Sequence, residues 1–176
     1  MNMQITGAKG SATTKFPGRN GQLELKLGWR GGWMSLVITG GPYFKYVEDE
    51  DTFGVCLREV EPSYYDVWLP IEDFSVPTDD DDTRTALVET LAAALGGKQV
   101  YAGCMGGWGR TGLFLSLLAK AAGVHEPIAY VRKHYTPHAV ETAQQESFVK
   151  TFDVQAVTQN LYRLAWAARI RRLFGR

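Results

Sequence analysis

The sequence CMGGWGRT at residues 104–111 places one cysteine, Cys104, six residues before an arginine, Arg110, across a glycine-rich stretch. Residues 98–102 have the pattern of a short buried strand, and residues 111–122 have the pattern of an apolar helix. The stretch therefore lies at a strand-to-helix junction, where unpaired backbone N–H groups and the positive end of the helix dipole favour a phosphate anion. This spacing predicts a thiol nucleophile beside a phosphate site.

Each residue type in this loop, which we call the nucleophile loop (residues 104–110), suits that chemistry. The positive field at the helix start favours the ionised, nucleophilic form of Cys104. The planar guanidinium of Arg110 is able to hold two phosphate oxygens at once. Glycines let the backbone turn its amides inward and approach a ligand closely. The residues predicted to bind phosphate together with Arg110 are Met105, Gly106, Gly107, Trp108 and Gly109.

Three other interpretations of the loop are weaker. Most isolated cysteines are small hydrophobic core residues, but the spacing to Arg110 opposes that interpretation here. A nucleotide-binding loop of the form G-x-x-x-x-G-K-[ST] needs glycine where Cys104 stands and lysine where Arg110 stands. Sulfur-transferase loops have a shorter cysteine-to-arginine spacing. The residues therefore favour a phosphate-cleaving loop.

The chain resembles the cysteine-dependent protein tyrosine phosphatase superfamily, whose signature is H-C-x5-R-[ST]. Cys104, Arg110 and Thr111 match this signature, whereas Gly103 stands where the family has the histidine that helps to order the loop. Two further segments resemble the compact dual-specificity branch: residues 68–77 (WLPIEDFSVP), which we call the acid loop, and residues 138–149. The resemblance covers residues 52–152 and implies a protein tyrosine or dual-specificity phosphatase.

The resemblance also implies residue roles. Asp73 in the acid loop becomes the general acid that protonates the leaving oxygen, with Glu72 and Asp66 as the alternatives. Cys104 attacks phosphorus to form a phosphocysteine, and the Thr111 hydroxyl steadies the departing thiolate. Gln145 helps to place the water of the second step. Gln144 is the alternative for that role.

Neither a metal nor a cofactor is predicted, because the three histidines lack the spacing of a ligand set. Cys56 lies on a predicted core strand, residues 53–57, that precedes the acid loop. In the phosphoinositide branch of the superfamily, a cysteine on the comparable strand bonds reversibly to the nucleophile. The resemblance thus implies a Cys56–Cys104 redox pair, against the simpler interpretation of Cys56 as a packing residue.

Substrate class is less clearly indicated. Trp108 either forms an apolar wall for a substrate ring, which favours phosphotyrosine in a protein, or supports the loop from behind. The nucleophile loop lacks lysine, which makes phosphoinositide or inositol polyphosphate substrates less favoured. Four cations outside the loop keep that alternative open: Arg58, Lys98, Arg132 and Lys133. Gly103 keeps open a third alternative, a catalytically weak phosphopeptide-binding pseudophosphatase.

Composition sets the remaining bounds. At 176 residues and 45% hydrophobic content, the chain predicts one domain over residues 1–176, with a loose start within residues 1–20. A formal net charge of zero gives no electrostatic drive toward nucleic acid. The sequence shows no signal peptide and no membrane-inserting segment. Two cysteines agree with a reducing compartment, so a cytoplasmic protein is expected.

Periodicity predicts a three-layer α/β sandwich, with a central, mostly parallel sheet and helices on both faces. The amino-terminal part shows alternating apolar pieces at residues 23–27, 33–39 and 43–47, which predict an antiparallel β entry. Helices are predicted at residues 83–95, 111–122, 126–134 and 141–172. The site is expected at the carboxyl ends of the strands, as open α/β sheets generally arrange it.

Overall fold

One five-stranded sheet organises the protein, and the computed structural model describes it through residues 16, 19–29 and 32–174. The strand order is β1-β2-β5-β3-β4, with β1 antiparallel to β2 and all other neighbours parallel. The strands are β1 (Gly21–Trp29), β2 (Gly32–Pro42), β3 (Thr52–Cys56), β4 (Val67–Trp68) and β5 (Gln99–Cys104). The predicted mostly parallel sheet with an antiparallel entry is confirmed.

The described residues form five α-helices, where four helices were predicted. They are α1 (Asp80–Leu95), α2 (Gly109–Ala121), α3 (Pro127–His134), α4 (Ala143–Thr151) and α5 (Gln155–Phe174). The acidic run before α1 acts as its cap, because the Asp79 carboxylate accepts the N–H groups of Asp81 and Asp82 at 2.8 and 2.9 Å. Side-chain capping and negative charge both stabilise a helix start.

The two faces of the sheet are covered differently. Alternate residues of a strand point to opposite faces. On one face, Val100, Ala102 and Cys104 of β5 join a large apolar core to which all five α-helices contribute. On the other face, Tyr101 packs in an aromatic cluster with Phe16, and a 3-10 helix (Tyr43–Lys45) covers the cluster. The predicted α/β class is confirmed, with a short 3-10 helix serving as the layer on the second face.

Two local predictions were wrong. Residues 43–47 were expected as a strand, but they begin with the 3-10 helix that closes the aromatic face. The single helix predicted from 141 to 172 is two helices, α4 and α5, separated by Phe152, Asp153 and Val154. The Lys120 ammonium causes the break from a distance, because it donates to the carbonyls of Val149, Lys150 and Phe152 at 2.8–2.9 Å.

The parallel strands end together at one edge of the sheet. Pro42 of β2 lies beside Cys104 of β5, and Cys56 of β3 lies beside Gly103. The nucleophile loop leaves β5 at this edge, and the acid loop leaves β4 there. The predicted loose start of the chain lies outside the described residues, apart from Phe16, Arg19 and Asn20. Within the described ranges, no helix has the length and apolar character needed to cross a membrane.

Candidate active site

Cys104 ends β5 with its thiol directed into the nucleophile loop. Its sulfur accepts the backbone N–H of Gly107 at 3.2 Å, and its own N–H donates to the Thr111 hydroxyl oxygen at 3.0 Å. The residue is 3% exposed. A hydrogen bond directed at sulfur stabilises negative charge on it. The Thr111 hydroxyl thus anchors the nucleophile backbone, and its proposed contact with the departing thiolate stays a prediction.

Gly107 gives the loop its shape. Its φ of +77° lies in the left-handed region, and a Cβ there would come within 2.4 Å of the Gly41 carbonyl carbon. Both conditions require glycine. Two side chains from elsewhere hold the adjacent carbonyls: Asn20 Nδ2 donates to Gly106 O at 2.8 Å, and the Tyr135 hydroxyl donates to Gly107 O.

Gly103, which replaces the family histidine, has no room for a side chain. A Cβ at this position would lie 2.6 Å from the Gly41 carbonyl oxygen and 2.9 Å from the Tyr43 Cα. Both neighbours are backbone atoms, one at the end of β2 and one in the 3-10 helix, so neither can move without distorting those elements. The glycine is therefore a packing requirement of this chain.

Arg110 lies in the first turn of α2 and connects the two loops. Its Nη1 donates to the Ile71 carbonyl at 2.9 Å, and its Nη2 lies 2.9 Å from Asp73 Oδ1. The guanidinium is only 5% exposed. Because a guanidinium carries five N–H donors, these two contacts leave donors for phosphate oxygens. The structure thus brings Asp73 of the acid loop against Arg110 of the nucleophile loop, and the catalytic roles of Cys104, Arg110 and Asp73 stay predictions.

Asp73 occupies an exposed position in the acid loop, with 58% of its side chain accessible. Its Oδ1 also accepts the N–H of Phe74 at 3.1 Å, and Phe74 has a φ of 58°, which is strained for a bulky side chain. Asp66, an alternative acid, instead accepts the Gly54 N–H at 2.7 Å and the Tyr46 hydroxyl at 3.3 Å. These contacts give Asp66 a structural role between strands.

Gln145 is buried and uses both ends of its amide. Nε2 donates to the Ser75 carbonyl of the acid loop at 3.0 Å, and Oε1 accepts the Glu141 N–H at 2.9 Å. Thr142 makes a parallel contact, because its hydroxyl donates to the Phe74 carbonyl at 3.2 Å. The two side chains therefore fasten the acid loop to the start of α4. The water-placing role of Gln145 stays a prediction, and Gln144 is exposed.

Three residues of this site were missed by sequence reasoning. Thr142 carries a local signal, because it is the side-chain cap of α4 and stands three residues before Gln145. Asn20 and Tyr135 carry none. Their contacts with the nucleophile loop span 86 and 28 residues of sequence, and no short-range pattern reports such pairings.

Large apolar side chains line the mouth of the site. Phe74 follows Asp73, Met105 follows Cys104, and Trp108 lies two residues before Arg110; these three apolar residues are between 46% and 59% exposed. The Trp108 ring packs against His138, with ring centroids 5.3 Å apart. Trp108 is therefore half exposed beside the loop, which favours the substrate-wall interpretation over buried support.

Cys56 and Cys104 are both free thiols that lie near the same edge of the sheet. Cys56 is aligned with Gly103 and packs in the aromatic cluster, whereas Cys104 belongs to the core on the opposite face. Burial raises the pKa of the Cys56 thiol, which keeps it protonated. A disulfide between them requires one strand end to rearrange, and the redox pairing stays a prediction.

The cations proposed for extra phosphates are partly occupied. Arg132 donates to the carbonyls of Ala139 and Val140 and pairs with Glu146 at 2.9 Å, which lowers the pKa of that carboxyl group. Lys98 donates to the Glu50 carbonyl. The part of the chain that the structure describes holds no cluster of three or more potential metal ligands.

Comparison with known proteins finds related sequences and similar solved structures. No known family model matches the chain. Two uncharacterized proteins of Methanocaldococcus jannaschii, MJECL20 and MJ0215, are each 40% identical to it, over 87 and 84 residues. These matches cover 49% and 47% of this chain and 58% and 52% of the relatives. The chain thus spans little more than half the length of either relative.

Two solved structures are similar over a longer part of the chain. Tk-PTP in its active form is 27% identical with a TM-score of 0.49, over 60% of this chain and 80% of Tk-PTP. Kinase associated phosphatase with serine at its catalytic cysteine is 15% identical with a TM-score of 0.48, over 81% of this chain and 97% of that one. Both TM-scores are below 0.5.

Proposed function

We propose that this chain is a phosphomonoester hydrolase that works through a phosphocysteine, most closely a protein tyrosine or dual-specificity phosphatase. The observation that carries this proposal is the Gly107 N–H donated to the Cys104 sulfur at 3.2 Å. A cysteine that merely fills a hydrophobic core has no need of such a donor. The buried guanidinium of Arg110 adds the positive charge that a phosphoryl group requires.

In the first half-reaction, the Cys104 thiolate attacks phosphorus, and an S–P bond forms as the ester P–O bond breaks. Arg110 and the loop amides stabilise the charge on the transferring group. The leaving oxygen takes its proton from the Asp73 carboxyl group. A phosphate dianion at the loop competes with Asp73 for Arg110.

In the second half-reaction, water attacks phosphorus and the S–P bond breaks, which releases inorganic phosphate and restores the thiolate. Asp73, now ionised, takes a proton from the attacking water. The Thr111 hydroxyl steadies the thiolate. Gln145 orients the water, for which its Nε2 exchanges the Ser75 carbonyl for that water.

Phosphotyrosine in a protein is the proposed substrate. The exposed rings of Phe74 and Trp108 and the side chain of Met105 form an apolar rim, which suits an aryl phosphate better than a small polar one. A thiolate nucleophile needs reducing conditions, so we place the reaction in the cytoplasm. The net charge of zero gives no support to a nucleic-acid substrate.

The alternatives have less support from the site. A phosphoinositide or inositol polyphosphate substrate needs several cations near the loop, and both Arg132 and Lys98 are engaged with backbone carbonyls. A phosphopeptide-binding pseudophosphatase was suggested only by Gly103, whose lack of a side chain has a packing cause.

Hydrolysis of para-nitrophenyl phosphate tests the proposal. We expect metal-independent release of nitrophenol that vanadate inhibits and EDTA does not. Cys104→Ser abolishes turnover and retains binding of a phosphotyrosyl peptide, whereas Cys56→Ser is the matched control that keeps turnover. Turnover that survives in Cys104→Ser would contradict the mechanism. Peptide binding without release by the native chain would identify the pseudophosphatase, and a preference for inositides would identify the lipid alternative.

A further inference from the structure

The position where the family signature has histidine is closed to any side chain in this protein, as the neighbours of Gly103 show. The loop is nevertheless held in shape, because two consecutive carbonyls are bound from outside it. Asn20 Nδ2 donates to Gly106 O, and the Tyr135 hydroxyl donates to Gly107 O. In this protein the loop is therefore held in shape by two side chains outside it, Asn20 and Tyr135, and not by a residue at the signature position.

Peptide planarity gives these two bonds a consequence inside the loop. In a trans peptide, the carbonyl of one residue and the N–H of the next point in opposite directions. When Asn20 holds the Gly106 carbonyl outward, the Gly107 N–H is aimed inward, and it does donate to the Cys104 sulfur. When Tyr135 holds the Gly107 carbonyl outward, the Trp108 N–H is aimed into the loop by the same geometry.

The sheet is shaped to receive Tyr135. Gly21 of β1 and Gly40 of β2 are cross-strand partners. A Cβ at Gly40 would lie 2.7 Å from the Tyr135 ring, and a Cβ at Gly21 would lie 2.6 Å from the Tyr135 carbonyl oxygen. This glycine pair therefore forms a slot for Tyr135, and the slot fixes the position of the Tyr135 hydroxyl relative to the nucleophile loop.

The chemistry of the hydroxyl suits a permanent donor. Tyr135 is buried, and burial raises the pKa of its hydroxyl above the ordinary value; the nearby Cys104 acts in the same direction, and a hydrogen bond with the Asn20 side chain acts against it. The hydroxyl therefore keeps its proton at neutral pH. Because the Gly107 carbonyl oxygen can only accept, the Tyr135 hydroxyl is always the donor in this hydrogen bond. The peptide between Gly107 and Trp108 therefore cannot flip without losing the bond.

We infer that Asn20 and Tyr135 are positioning residues that replace the missing signature histidine, each acting through one loop peptide. Asn20 acts on the nucleophile through the Gly107 N–H. Tyr135 acts on the bound phosphoryl group through the Trp108 N–H. This assignment rests on the proposed function, but the two effects are measurable without turnover.

Two separate measurements test the assignment. The rate of Cys104 alkylation by iodoacetamide, followed across pH by mass spectrometry, reports the thiolate. Affinity for inorganic phosphate, measured by calorimetry, reports the loop amides. Asn20→Ala is expected to move the alkylation midpoint upward by roughly 0.3–1 pH unit. Tyr135→Phe is expected to weaken phosphate binding by about 2- to 10-fold, as for loss of one hydrogen bond.

Tyr130→Phe is the matched control for Tyr135→Phe. Tyr130 lies on α3, five residues before Tyr135, and its hydroxyl donates to the Glu24 carbonyl at 2.7 Å, outside the loop. Tyr135→Phe keeps the ring in its slot, so thermal unfolding should show both variants folded. Equal phosphate affinity in the two variants would overturn the role of Tyr135. An unchanged alkylation midpoint in Asn20→Ala would overturn that of Asn20.

These two measurements can fail independently of the proposed phosphatase activity. If the native chain fails to hydrolyse phosphate esters while both shifts occur, the proposed function is wrong and the positioning roles stand. If the native chain hydrolyses esters and neither shift occurs, the proposed function stands and the positioning roles are wrong.

Discussion

The nucleophile loop and the acid loop face each other across Arg110, but they are held by different means. The nucleophile loop connects β5 to α2, and its shape depends on the backbone conformation at the buried Gly107. The acid loop is exposed at Asp73 and follows a strand of only two residues. Its carbonyls at Ile71, Phe74 and Ser75 are each captured by a side chain from another element.

The nucleophile loop is thus the preorganised half of the site, and the acid loop is the half that can open and close. Transition-state stabilisation requires amides that are already in place, which a loop between two regular elements provides. A general-acid loop has to admit substrate and release product, so single side-chain hydrogen bonds suit it better than buried backbone packing. We therefore expect changes in the nucleophile loop to be severe and changes in the acid loop to be graded.

The largest effect is expected for Gly107→Ala. The new Cβ meets backbone atoms of Gly41 at 2.4 Å and adopts a disfavoured φ, so the peptide that points at the Cys104 sulfur must turn. Loss of one preorganised donor predicts a fall in kcat of about 10²–10³-fold. Gly106→Ala is the matched control, because a Cβ there meets nothing closer than 3.9 Å. Comparable losses in both variants would show that the loop is not set by backbone packing.

An intermediate effect is expected for Asp73→Asn. Without a proton donor, kcat for an alkyl phosphate should fall about 10²-fold or more, and kcat for para-nitrophenyl phosphate should fall less, since nitrophenolate leaves without help. Glu72→Gln, the neighbouring exposed carboxylate, should leave both rates within about 2-fold of the native values. Equal losses with both substrates in Asp73→Asn would place the acid elsewhere.

The smallest effect is expected for Thr142→Val, which removes the hydrogen bond to the Phe74 carbonyl and the cap of α4. We expect kcat for the alkyl phosphate to fall about 2- to 5-fold and the free energy of unfolding to fall by about 1 kcal/mol. Thr142→Ser keeps the hydroxyl and should behave as the native chain in both rate and chemical denaturation. If valine and serine behave alike, the Thr142 contact does not hold the acid loop.

Local sequence patterns were sufficient for most of the fold. The nucleophile loop and the alternation of β1 and β2 depend on neighbours a few residues apart, and these were predicted. The break between α4 and α5 was missed, because it depends on Lys120 capping carbonyls some thirty residues away. The 3-10 helix was missed for a similar reason, since its place is set by the aromatic face it covers.

The sequence alone predicted which groups could do the chemistry: a thiol and a guanidinium six residues apart, with two adjacent carboxyl groups, Glu72 and Asp73, between two prolines. Those features are covalent or nearly local, so their spacing survives in any fold that forms the strand and the helix. Tertiary structure alone decided how these groups are aimed. The partners that hold both loops, Asn20, Tyr135, Thr142 and Gln145, are distant in sequence and meet them only when the sheet and helices close around one edge.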